Sequence, residues 1–131
     1  MFACYHPSCM TFFSRSRLLI GSGALALSMA FADAVVDAQK LVKDGKFDDA
    51  IAMLEKGNAK TPAVSKALVD AHMAKGDSFM TNDKVPPRVK YTTALQEYRK
   101  VVAIDKTNKK AADNIKMIED IYKSMGRPVP Q

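Results

Sequence analysis

Two stretches of this chain carry one spacing, and that spacing restricts the fold more than any other feature. Gly45–Pro62 reads GKFDDAIAMLEKGNAKTP, and Tyr91–Asn108 reads YTTALQEYRKVVAIDKTN. Phe47 and Tyr91 each stand three residues before an alanine, Ala50 and Ala94. Ile51 then aligns with Leu95, Leu54 with Tyr98, and Gly57 with Val101. Within each stretch these positions recur at helical steps along one face. Gly45 reads as the end of a preceding helix. Phe47 reads as a staple for the next, and Asp48 and Asp49 put negative charge on its first turn. Pro62 follows once that helix has ended. Self-similarity of this kind is the signature of stacked repeats.

On these residues the chain resembles the tetratricopeptide repeat family. The resemblance implies an all-α fold, an antiparallel helix-hairpin solenoid of two repeats plus a C-terminal capping helix. Ala50 and Ala94 would sit where the two helices of a hairpin cross, because a larger side chain there forces them apart. A family period of about 34 residues places the repeats at Phe31–Val64 and Ser65–Asn108. The second is 44 residues long, and its surplus falls at Thr81–Lys90, TNDKVPPRVK, read as a polar turn insertion around Pro86 and Pro87. A third unit, Lys109–Met125, supplies one helix, which would cover the bare apolar face of the last hairpin. The first helix lacks the family's usual tryptophan, and Ala38 stands where glycine is common.

The amino terminus has its own logic. Arg15 and Arg17 precede the apolar run Leu18–Met29, and Ala30-Phe31-Ala32 puts small residues where a signal peptidase reads. Residues 1–32 are therefore expected to be a signal peptide cleaved before Asp33, with cleavage after Ala34 as the second choice. An uncleaved membrane anchor is the alternative, but the run falls short of the ~20 residues that span a bilayer. The two arginines are not adjacent, and no cysteine follows the run, so neither a twin-arginine route nor a lipoprotein anchor is indicated. The resulting localisation is periplasmic or secreted, with no stable membrane insertion after cleavage. Cys4, His6 and Cys9 could be drawn as a metal site, but they precede a signal peptide rather than sit on a folded scaffold. The simpler reading is that residues 1–9 are an upstream extension and Met10 is the true start.

Cleavage would leave 99 residues without cysteine and with a net charge of +4. The lysines and acids are interspersed, which suits a solvated surface and gives no nucleic-acid face. Five helices are expected, at about Asp33–Asp44, Phe47–Lys60, Pro62–Met80, Lys90–Ile104 and Lys109–Met125. Their inner stripes would be Ala34, Ala38, Leu41 and Val42; Ala50, Ile51, Leu54 and Gly57; Val64, Leu68, Ala71 and Phe79; Ala94, Leu95, Tyr98, Val101, Val102 and Ile104; and Ile115, Ile118, Ile121, Tyr122 and Met125. Gly126 is read as a helix stop, and the tail Arg127–Gln131 as an extended, fraying end.

Chemistry is sparse. His72 is the one histidine after residue 32, with Asp70 off its face, so a packed or half-exposed histidine is expected rather than a ligand. No serine sits in a nucleophile elbow, no phosphate loop is present, and the acids around Asp44–Asp49 miss calcium-loop spacing. The expected function is thus non-enzymatic, without cofactor or metal: a protein-interaction module taking a peptide or partner helix. The family resemblance implies a concave groove lined by Val35, Val36, Gln39, Val42 and Lys43, by Lys66, Val69, Asp70 and Met73, and by Lys110, Asp113, Asn114 and Met117. The lysine–asparagine clamp that some members use for a carboxylate is absent, with Val35, Gln39, Val69 and Met73 in its place. The insertion, with Lys84, Arg88 and Lys90, is a second candidate surface. The rival reading is a structural self-assembler, a homodimer closing the open edge of a short stack.

Overall fold

The computed structural model describes residues 23–56 and 61–131. Over those residues the chain is all-α: α1 (Gly23–Lys43), α2 (Phe47–Lys56), α3 (Pro62–Thr81), α4 (Pro87–Ile104) and α5 (Lys109–Ser124). Short polar turns link α1 to α2, α3 to α4 and α4 to α5, and short connections set neighbouring helices antiparallel. Each helix packs on the next, and α1 also packs on α3. The most extensive interface is between α3 and α4.

The helix ends follow from local chemistry. Gly45 has φ 75° and closes α1 with two bonds, its own N–H to Val42 O (3.1 Å) and Lys46 N–H to Leu41 O (2.8 Å). A left-handed residue at this place frees orphan carbonyls to be bonded, and glycine adopts it without penalty. Gly126, with φ 62°, repeats the motif at the end of α5 through Gly126 N–H to Lys123 O and Arg127 N–H to Tyr122 O, each 3.0 Å. Thr61 caps α3 by accepting from Val64 N–H at 3.3 Å, with Pro62 in the first turn. Asn108 caps α5 by accepting from Ala111 N–H at 3.0 Å. Both oxygens satisfy a donor that the helix itself leaves unpaired.

Three boundaries differ from the sequence expectation. Helix α1 begins at Gly23, ten residues before Asp33, and runs through the expected cleavage point; residues 24–32 include no proline or glycine to stop it. Half of the Thr81–Lys90 segment is helix. Helix α3 continues through Thr81 and α4 starts at Pro87, leaving a turn of 82–86. The prolines do not oppose this, since a proline in the first turn gives up an N–H that has no helical partner anyway. The tail does not project. The Arg99 guanidinium donates to Pro130 O at 2.7 Å, and Val129 packs on the core.

Two apolar clusters share α3. One joins Ala38, Ala50, Leu54, Val64 and Ala67. The other joins Val69, Met73, Ala94, Leu95, Tyr98, Val101, Ala111, Ile118 and Tyr122. Ala50 and Ala94 are both fully buried. Gly57 lies outside the described residues. Ile104 and Met125 were expected inward but are 39% and 46% exposed, because each stands at a helix end, past the last packed turn. Enlarging the close contact at Ala94 should be costly. Ala94→Leu is expected to lose about 1–3 kcal/mol by overpacking, read as a lower urea midpoint with an unchanged slope.

Candidate functional site

The first three helices bring part of the expected groove together. Gln39, Val42 and Lys43 of α1 and Asp70 of α3 line one depression of about 170 Å³, with Ala38 and Ala67 as its floor. Lys66, Val69 and Asp70 line a second, with Ile104, Asp105 and Asn108 from the α4–α5 turn. Asp70 belongs to both, and its carboxylate accepts from Lys66 Nζ at 3.1 Å. Val35 is half-buried on α1, and Val36 beside it is 50% exposed.

Other expected groove residues lie elsewhere or are buried. Met73 is buried against α4 and α5 rather than presented to a partner, and Val69 edges the second depression with most of its side chain in the same core. The physical reason is that α3 is central, packed on α1 and α2 from one side and on α4 from the other. Lys110 is held by Asp77, 2.7 Å from its Nζ, and Asn114 is half-buried. Met117 is exposed, with Asp113, in a separate shallow depression confined to α5. Of the three basic residues assigned to the insertion, Lys84 is exposed in the turn, whereas Arg88 and Lys90 belong to α4. Lys90 Nζ folds back to Asp83 at 3.1 Å.

A buried polar cluster joins α3 and α4. His72 is buried as expected, but its partner was not foreseen. The imidazole Nδ1 is 2.6 Å from Glu97 Oε2, and the two residues are 4% and 3% exposed. The other carboxylate oxygen lies 3.2 Å from Lys75 Nζ and 3.1 Å from Lys100 Nζ. Lys75 Nζ also meets Asp48 at 2.6 Å. The chain of contacts therefore links α2, α3 and α4. Burial pushes the Glu97 carboxyl up, but the His72 hydrogen bond and the two ammonium groups outweigh it and bring it down to about 2. An ionised carboxylate only accepts, so Nδ1 carries the hydrogen and donates it. Burial would lower Lys75, but Asp48 and Glu97 more than offset it, and its pKa is raised. Sequence did hold a signal for Glu97. It sits three residues after Ala94 and four before Val101, on the apolar stripe, where a charge needs a partner.

Neither His72 nor Glu97 lines the depressions above; their contact joins α3 to α4. Among the described residues no group of three or more histidine, cysteine or acidic side chains could hold a metal ion. Cys4, His6 and Cys9 lie outside them. No described helix is long and apolar enough to cross a membrane. No family model, curated protein or solved structure matches this chain.

Proposed function

We propose that this chain is a non-enzymatic interaction module of the cell envelope, a short stack of tetratricopeptide-like hairpins that takes a peptide or partner helix on the face between α1 and α3. The observation that carries the reading is the α1–α3 depression, apolar at its floor and rimmed by Gln39, Lys43 and Asp70. The packing of α1 on α3 as well as on α2 supports a stack, since first helices of adjacent hairpins meet in that way. A floor of small side chains with polar groups at the edge suits the apolar face of a docked segment. Residues 1–32 would direct export.

Photo-crosslinking in the native cell tests this. A crosslinking residue at Gln39 or Asp70 is expected to trap one and the same protein, and a crosslinking residue at the exposed Glu55 of α2 is expected to trap none. Equal trapping from all three would overturn the groove. Adducts between two copies from Gln39 would favour self-assembly in its place. Export has its own check: the protein should be recovered outside the cytoplasm with Asp33 or Val35 as its first residue, and an intact apolar segment on the purified protein would contradict it.

A further inference from the structure

We propose a second binding site, on a different face and independent of the groove, for a small organic carboxylate with an apolar body. The cavity lies between the start of α4, the end of α5 and the returning tail, and measures about 530 Å³. That is within the ~300–1,000 Å³ usual for small-molecule sites. Tyr91 and Tyr122 give it aromatic walls, and Met125 adds a soft apolar surface. The Tyr122 hydroxyl is fixed at 3.0 Å from Thr92 Oγ1, so the wall is preorganised.

The charge in the cavity is one-sided. Arg88 and Arg127 both line it, and no aspartate or glutamate does. Among the described residues neither arginine is in an ion pair. Guanidinium groups take carboxylates through paired N–H donors. A carboxylate at the rim with its apolar body between the tyrosines answers both the charge and the walls. The tail closes the far side through Val129 and Pro130 and is held by Arg99. A ligand touching it would therefore hold it down.

Phenylbutyrate and its uncharged amide are the probes, titrated into the full chain and followed by amide chemical shifts. The acid is expected to bind about tenfold tighter than the amide, with shifts centred on Tyr91, Thr92, Tyr122 and Val129. Arg88→Gln with Arg127→Gln should erase that preference; both side chains are exposed, so the fold is not at stake. The acid should also slow carboxypeptidase trimming from Gln131. Equal binding of acid and amide, shifts centred on α1 or α2, or a preference that survives the double substitution would each overturn the site.

Discussion

Glu97→Ala is expected to destabilise the fold by about 3–5 kcal/mol, the usual cost of removing one partner from a buried ionic contact such as Glu97–Lys75. It would strand the buried His72 N–H and take from Lys75 and Lys100 the carboxylate they share. Urea unfolding reads the loss directly. Replacing both members, Glu97→Leu with His72→Leu, should cost less than the single change, because the buried imidazole donor is then gone, Lys75 keeps Asp48 and Lys100 is exposed to water. The pair also fixes the acid limb of stability. A carboxyl with an ordinary value of 4.5 that is held at about 2 in the folded chain contributes fully above the ordinary value. Its contribution then falls away as pH drops from about 4.5 towards 2, by at most about 3 kcal/mol. Glu97→Gln should flatten the stability profile in that window. An unchanged profile would show that other carboxylates set the acid limb.

Tyr98→Ala should be comparably severe, about 3–5 kcal/mol. Tyr98 is 1% exposed and is among the largest fully buried side chains. Its ring lies against Gly76 of α3, where an added Cβ would come within 2.7 Å of Cε1. The ring cannot swing away freely, since its hydroxyl donates to Asp77 Oδ1 at 2.7 Å. Burial and that carboxylate hold the phenol well above its usual range. Tyr98→Phe keeps the packing and loses only the hydrogen bond, so about 1 kcal/mol is expected. Gly76→Ala gains helix propensity of about 1 kcal/mol, and the ring clash should reverse that sign. Calorimetry on the three variants should rank Tyr98→Ala lowest in Tm, and a stabilised Gly76→Ala would contradict the close approach.

The parts of this fold that were readable in sequence are those fixed by local rules. Gly45 and Gly126 ended helices because only glycine takes that backbone cheaply. Ala50, Leu54, Ala94, Tyr98 and Val101 fell on buried faces by helical spacing alone. What escaped depended on partners distant in the chain. Glu97 stands on the apolar stripe of α4, but only the fold shows its partner, His72, 25 residues away. Val69 and Met73 read as groove surface until α3 is found to be packed on two sides. Pro86 and Pro87 suggested a longer loop than exists, because a proline pair marks a helix start as well as it marks a turn. The tail is held by Arg99, a contact that no local pattern announces.

The proposed groove has α1 on one side and α3 on the other, and α3 carries both apolar clusters, so the face is held in shape only if the two clusters behave as one body. The Asp48–Lys75–Glu97–His72 contacts, reaching across α2, α3 and α4, add a polar tie to the α3 they share. Native-state hydrogen exchange tests this most directly. The slowest amides of α2 and α4 should open with the same free energy to within about 1 kcal/mol. If α1 and α2 open several kcal/mol more easily while α3, α4 and α5 stay protected, the two halves are separate units and the shared face is not a binding surface.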